Sequence, residues 1–423
     1  MHRFIKFYFI VIAIVLLIDF YAFQAVRSAL RSFSAAGKWA AYTGYWLFTF
    51  ITVGIFTSAF IIPFEKWTPE IRMYLISLVM LIYLAKIIII PILLLEDTGR
   101  LLRWITGLFA PPASENQVGA SPISRSKFIG QLALITGGVP LAMGIHGMLR
   151  NAYNYKIHRV RVGLPHLPDS FKGMKIVQIS DIHSGSFVSK ASVEKGVEMV
   201  NREKPDIVFF TGDLVNYRAE EMLPFIDVFN QIQAKEGVFS IFGNHDYADY
   251  IRWSPGQEEE GKAQNRRQLI EIHQKLGWNL LLNENRILRR GNDTLAIIGS
   301  ENWSSRGFRT YGDMTKACQG CEDATVKLLL THDPSHWDGE ILKKYPDIDI
   351  TFSGHTHGAQ FGVEIPGWFK WSPSQYLYKH WAGLYQEGRQ YLYVNRGFGF
   401  IGFHGRIGIL PEITVMELLK KQA

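Results

Sequence analysis

The chain has 423 residues, 48% of them hydrophobic, with 45 Lys+Arg against 38 Asp+Glu and a formal net charge of +7. That length leaves room for about two to three domains, the apolar content excludes global disorder, and only two cysteines exclude a disulfide scaffold. Residues 1–150 hold 13 basic and 6 acidic side chains while residues 151–423 hold 32 of each, so the larger part is neutral and no nucleic-acid partner is expected.

The pattern predicts two parts: a transmembrane helical domain over 1–150 and a globular domain over 151–423. Residues 4–23 are apolar except for Lys6 and Asp19, residues 39–62 contain no Asp, Glu, Lys, Arg or His, and residues 74–95 contain one charge, Lys86. Each is long enough for the roughly 20 residues a helix needs to cross the hydrocarbon core. A fourth span is expected over 130–149, rich in Gly and small residues, with His146. Tyr42, Tyr45, Trp46 and Trp67 near the ends of the second span suit an interfacial belt. The first span lacks a following small-residue cleavage site and does not read as a cleaved signal. Lys86 either faces another helix or an interface, or is a functional charge at a lipid phosphate or proton path. Residues 100–126, with Pro111, Pro112 and Pro122, read as a loop opening with an interfacial helix.

Beyond residue 151 the apolar runs are short and separated by turn signals, the signature of an α/β domain. Strands are expected over 175–180, 207–211, 238–242, 295–299, 327–331, 348–352, 391–395 and 413–416. Helices are expected over 192–203 and 267–276, and the polar stretch 252–268 reads as a surface excursion.

The chemistry falls just past strand ends: Asp181-Ile182-His183, Gly212-Asp213, Gly243-Asn244-His245-Asp246, Thr331-His332-Asp333 and Gly354-His355-Thr356-His357. Open α/β sheets place ligands at the carboxyl ends of their strands. Carboxylate oxygen with imidazole nitrogen suits borderline divalent ions such as Mn, Fe or Zn. Asp181 and His183, two apart, face one side of an extended segment, Asp213 can bridge two ions, Asn244 offers a neutral oxygen, and His332, His355 and His357 offer nitrogens. Two divalent metal ions are therefore expected. The glycines before Asp213, Asn244 and His355 are read as allowing tight turns. Cys318 and Cys321 form one Cys-x-x-Cys without a second pair, which reads as incidental or a local disulfide.

This ordered set of motifs, over roughly residues 172–418, resembles the calcineurin-like metallophosphoesterase superfamily, and the membrane anchor resembles its bacterial branch acting on phosphate-containing lipids or on no assigned substrate. The resemblance implies a four-layer αββα sandwich. It gives one ion Asp181, His183, Asp213 and His357, and the other Asp213, Asn244, His332 and His355. It sets His245 beside the metals as a catalytic group, with Asp246 orienting it.

The implied activity is phosphoester or pyrophosphate hydrolysis by direct attack of a metal-held hydroxide, with no covalent intermediate. The alternatives are a soluble nucleotide or phosphoprotein substrate, or a non-catalytic membrane module. Trp368, Phe369, Trp371, Tyr376, Tyr378, Trp381 and Tyr385 follow the last motif closely and favour an amphiphilic, lipid-linked substrate. Four spans place the N-terminus and the globular domain on one side. Arg27, Arg31, Lys38, Arg100, Arg103, Arg125 and Lys127 fall opposite; Arg3, Lys6, Lys66 and Arg72 fall on the N-terminal side, joined by Arg150, Lys156, Arg159 and Arg161 when the domain start is counted. Ser124-Arg125-Ser126-Lys127-Phe128-Ile129 resembles a twin-arginine signal lacking its second Arg and tips the expectation toward an extracytoplasmic catalytic domain.

Overall fold

A computed structural model describes residues 2–62, 67–109, 125–365 and 367–421. Lys66, Pro111, Pro112, Pro122 and Ser124 lie outside the described residues. The chain divides into two compact units, Met1–His146 and Gly147–Ala423.

The first unit contains α1 (His2–Ala29), α2 (Ala35–Ile61), α3 (Pro69–Gly107) and α4 (Arg125–His146). All four are long and apolar enough to cross a membrane. The Ser34 side chain accepts the Gly37 N–H at 3.2 Å to start α2, and Pro69 sits in the first turn of α3, where its missing N–H costs nothing. Helix α3 runs unbroken to Gly107, so residues 100–107 continue it instead of forming a separate interfacial helix. Small residues in α4 bring it close to α3: a Cβ on Gly144 would lie 2.2 Å from Leu81 Cδ2.

Lys86 faces another helix. Its ammonium pairs with the Asp19 carboxylate of α1, and both residues are buried. Tyr83 donates to Asp19 Oδ2 at 2.5 Å, Tyr45 donates to the Asp19 carbonyl oxygen at 2.7 Å, and Lys86 Nζ lies 4.5 Å and 4.7 Å from the centres of those two rings. Three helices thus share one polar knot.

The second unit contains β1 (Lys156–Leu164), β2 (Lys175–Ile179), β3 (Ile207–Phe210), β4 (Val238–Ser240), β5 (Asn279–Leu280), β6 (Glu284–Arg290), β7 (Asp293–Gly299), β8 (Val326–Leu330), β9 (Ile350–Ser353), β10 (Val363–Ile365), β11 (Phe369–Trp371), β12 (Gly383–Glu387), β13 (Gln390–Val394) and β14 (Glu412–Lys420). Two six-stranded sheets form, in the orders β1-β14-β2-β3-β4-β5 and β12-β13-β9-β8-β7-β6, while β10 and β11 make a separate ribbon. The strands at the centre of each sheet, β2-β3-β4 and β7-β8-β9, run parallel. Their alternate side chains meet between the sheets: Ile176, Phe209, Phe239 and Met416 from one, Leu295, Leu328, Phe352 and Tyr393 from the other. The opposite face of the second sheet, with Ala296, Ile298 and Leu329, packs on Met314, Trp337 and Ile341. Helices α5 (Lys190–Arg202) and α6 (Glu258–Lys275) are the longest of this unit. The architecture is the four-layer αββα sandwich.

Residues 258–268, expected as a surface excursion, form the first half of α6. Glu258, Glu259 and Glu260 favour the positive end of the helix dipole, and Asn265, Leu269, Ile272 and His273 supply its buried face. At the carboxyl ends of the central strands the sheets are joined by polar contacts. Gln178 donates across to the Ser353 carbonyl oxygen at 2.9 Å and, within its own sheet, to Thr211 Oγ1 at 3.0 Å; Asn395 donates to Thr414 Oγ1 at 2.9 Å, and Tyr393 donates to Glu412 Oε1 at 2.6 Å.

Lys86→Met leaves the Asp19 carboxylate buried without its cation and is expected to destabilise the protein by roughly 3 kcal/mol. The pair Asp19→Asn with Lys86→Met removes both charges and is expected to recover most of that loss. Thermal unfolding of the purified variants in detergent checks this; equal melting of the single and double variants contradicts it.

Candidate metal centre

The central strands end side by side and deliver the motif residues to one place. Asp181 and His183 follow β2, Asp213 follows β3, Asn244 follows β4, His332 follows β8, and His355 and His357 follow β9. Two groups result, Asp181–His183–His357 and Asp213–His332–His355, each with ligand atoms within 4.8 Å of one another. In the first, His183 Nε2 lies 3.0 Å from His357 Nε2, which lies 3.3 Å from Asp181 Oδ1. In the second, Asp213 Oδ2 lies 3.0 Å from His332 Nε2, which lies 3.2 Å from His355 Nδ1. Asp213 Oδ2 is also 3.5 Å from His183 Nε2, so this one oxygen stands between the groups.

These residues fit divalent ions. Donors bound at about 2.1 Å with angles between 90° and tetrahedral lie about 3.0–3.4 Å apart, the spacing seen here. Asn244 Oδ1 is buried with no hydrogen-bond partner among the described residues, as is His183 Nδ1. Asn244 Nδ2 donates to the Tyr250 hydroxyl at 2.7 Å, which fixes the amide and leaves its oxygen for another partner. His332 Nδ1 lies 2.7 Å from the Thr211 carbonyl oxygen, which can only accept, so Nε2 is the nitrogen with a free lone pair.

The backbone is strained at the candidate ligands. Asp181, His183, Asp213, His355 and His357 all have left-handed φ, between 48° and 72°. Such conformations cost roughly 1 kcal/mol or more each and persist only where surrounding contacts enforce them. Of the glycines read as turn formers, Gly212 has φ 93°, but Gly243 and Gly354 are needed for space. A Cβ on Gly243 would lie 2.3 Å from Asp213 Oδ1, and one on Gly354 would lie 2.3 Å from Asp181 Oδ2.

Asp246, expected to orient His245, has its carboxylate engaged by the backbone of two turns. Its carboxylate accepts the backbone N–H groups of Gly243 at 2.8 Å, Asp213 at 3.0 Å, Leu214 at 2.9 Å and Val215 at 3.4 Å, tying the turn after β3 to the turn after β4. The Asn216 carbonyl oxygen lies 2.7 Å from His245 Nδ1, and the His245 backbone N–H donates to Asp213 Oδ1 at 2.8 Å. Sequence reasoning also passed over Arg406, fully buried, which donates to the carbonyl oxygens of Arg396 at 2.6 Å and His357 at 3.3 Å and lies 3.3 Å from His357 Nδ1. Tyr378, in sequence one ring of an aromatic run, has its hydroxyl 2.7 Å from His355 Nε2. A lone Arg within the glycine-rich stretch 397–408 was the available signal for the first.

Without a metal the charges balance internally. Burial pushes the Asp213 carboxyl up, but the imidazoles of His332 and His245 outweigh it and hold it well below the carboxylate range. Burial pulls His332 down, yet the Asp213 carboxylate raises it to about 10. Burial and the charge of Asp213 push Asp246 up to about 7, against its four N–H donors. A bound cation would take the place of the His332 proton in this balance.

With this geometry in view, comparison with known proteins gives a consistent result. Residues 2–152 match the family described as "Probable Calcineurin-like phosphoesterase, transmembrane domain", and residues 174–359 match "Calcineurin-like phosphoesterase". The chain is a calcineurin-like metallophosphoesterase with a transmembrane domain. With its four apolar helices it is a multi-pass membrane protein. A Danio rerio transmembrane protein with metallophosphoesterase domain is 30% identical over 69% of this chain, which spans 62% of that relative's length. The metallophosphoesterase YkuE of Bacillus subtilis is 27% identical over 70% of this chain and 98% of its own. The UDP-2,3-diacylglucosamine pyrophosphatase LpxG of Chlamydia muridarum is 27% identical over 62% of this chain and 89% of its own. Relatives are bacterial and vertebrate, so the similarity does not single out the bacterial branch.

Asp246→Asn replaces an acceptor of four N–H groups with an amide that presents N–H to some of them. A loss of about 2–3 kcal/mol is expected, with lower metal content because the Asp213 turn is released. Thermal unfolding and elemental analysis of the same preparation check both; a variant equal to the parent in both measures refutes the fastening role.

Proposed function

We propose that the protein hydrolyses phosphoester or phosphoanhydride bonds of a lipid-linked substrate, with residues 1–150 as the anchor and residues 151–423 as the catalytic part. The observation that carries this is the pair of His/Asp groups joined through Asp213 Oδ2 at the strand ends. In this reading Asp181, His183, Asp213 and His357 hold one divalent ion, and Asp213, Asn244, His332 and His355 the other. Ions held there supply Lewis-acid stabilisation of phosphoryl oxygens and lower the pKa of water.

The remaining roles belong to the chain. His245 acts on the substrate: with Nδ1 committed to the Asn216 carbonyl, Nε2 is the nitrogen available to a phosphoryl or leaving-group oxygen. Asp246 acts through the backbone, keeping Asp213 and His245 in register. Arg406 holds the segment carrying His357.

The lipid-linked substrate is supported by how the aromatic run divides. Trp381 is buried with Ala382 and Ile409, whereas Trp368, Phe369, Tyr376 and Leu377 are exposed together with Val363 and Ile365 of the β10–β11 ribbon. An apolar patch rimmed by Trp and Tyr suits the membrane interface, and Tyr378 links this stretch to His355. The LpxG relative, named for a pyrophosphatase acting on a diacylated nucleotide sugar, is consistent with it. We also place the catalytic part on the extracytoplasmic side, from the motif over 124–129; a C-terminal reporter active only in the cytoplasm tests that placement and overturns it by reporting activity.

Chelation is expected to abolish hydrolysis, and Mn²⁺, Fe²⁺ or Zn²⁺ to restore it. Asp213→Asn is expected to lose metal from both positions, while His245→Gln keeps its metal and slows roughly 10²–10⁴-fold, less on nitrophenyl esters with their good leaving group. Metal analysis with rates on good and poor leaving groups checks this. Full activity of His245→Gln on poor leaving groups, or hydrolysis that survives exhaustive chelation, sinks the assignment.

Trp368→Ser with Phe369→Ser is expected to reduce hydrolysis of a lipid pyrophosphate in vesicles at least about tenfold, from the loss of two exposed rings that would enter the membrane interface. It should leave the rate on a soluble nitrophenyl ester within twofold, about the scatter expected when no reacting group is touched. Equal rates on the vesicle substrate argue for a soluble one.

A further inference from the structure

We propose that a cationic cavity within the membrane unit binds the phosphate headgroup of an anionic phospholipid, a site separate in function from phosphoester hydrolysis. The cavity, 660 Å³ in volume, lies where α1 ends, α2 begins and α3 nears its end. Arg27, Arg31, Lys38 and Arg100 line it with Glu96 and Asp97, leaving a surplus of two positive charges. Its volume falls in the range of about 300–1,000 Å³ typical of small-molecule sites.

The acids are already engaged. Glu96 accepts from Arg100 at 2.6 Å, and Asp97 accepts from the Tyr21 hydroxyl at 2.7 Å. Arg27, Arg31 and Lys38 have no carboxylate partner among the described residues, yet they border one cavity. Gathering three like charges is unfavourable unless an anion is shared between them. Phe20, Leu93 and Tyr42 give the same cavity apolar walls. A headgroup phosphate with the first carbons of its glycerol matches both halves, whereas a free phosphate matches only the charged one. Basic pockets between membrane helices are suited to anionic headgroups, each basic side chain contributing about a fivefold change in affinity.

The test uses the purified full chain in phosphatidylcholine nanodiscs, titrated with phosphatidylglycerol and followed by thermal unfolding and by counting retained lipid in native mass spectrometry. Phosphatidylglycerol is expected to raise the melting temperature and to remain as one bound molecule. Arg31→Gln, in the turn after α1, should need about fivefold more lipid, and the triple change Arg27→Gln, Arg31→Gln, Lys38→Gln about 100-fold more. Arg103→Gln, a cation of α3 outside the cavity, should behave as the parent. Equal effects of phosphatidylcholine, an unaffected Arg31→Gln, or an equal loss in Arg103→Gln overturns the proposal in favour of diffuse surface attraction or charges that serve orientation alone. A shift reproduced in full by millimolar inorganic phosphate assigns the cavity to the free anion and overturns the lipid.

Discussion

The shared oxygen of Asp213 is the constraint around which the catalytic unit is arranged. Asp181 and Asp213 are both buried, and two carboxylates out of water are tolerable only if positive charge sits between them. Four imidazoles converge on that space with nitrogens 3.0–3.5 Å from a carboxylate or from each other. Without ions the carboxylates rely on protonated imidazole for that charge, as at Asp213 and His332, and the same space suits divalent cations. Its fit to two ions is therefore an electrostatic property of the fold as much as a matter of distances.

Holding it open requires rigidity from elsewhere. Backbone strain at five candidate ligand positions is opposed by the polar contacts that join the two sheets, by the Asp246 carboxylate and by the Arg406 guanidinium. None of these groups needs to touch a substrate. They turn parallel strand ends, which could carry any loop, into a fixed set of donors, and they explain why so many buried polar side chains crowd one end of an otherwise apolar sandwich.

The membrane helices and the centre of the sandwich were legible because their signals are strong and local. Long apolar runs mark α1 to α4, and short apolar runs ending in Asp, Asn or His mark β2, β3, β4, β8 and β9. The edges were not legible. β6, Glu-Asn-Arg-Ile-Leu-Arg-Arg, carries mainly polar side chains because one face is open, and β1 alternates Lys, His and Arg with Ile and Val for the same reason. Helix α6 begins with three glutamates favoured by the helix dipole, two of them paired with Lys262 and Arg267, and this polar first turn offers no apolar period to read. Within the centre, residue types identified the donors, but the contact of Asp246 with backbone N–H groups depends on a crossing of two turns 33 residues apart. Sequence adjacency pointed to His245 instead.

The knot between Asp19 and Lys86 has a consequence for how the membrane unit is made. The two residues are separated by 67 positions, so the carboxylate of α1 is synthesised long before the ammonium of α3 that neutralises it. Until then the acid lacks its cation, and the phenol of Tyr45, 3.3 Å from Asp19 Oδ1, is the one of its three partners already made. In the finished bundle it is α3 that supplies the missing charge and a second phenol. The place of one lysine in the sequence thus sets how much of the chain must exist before this acid can be neutralised.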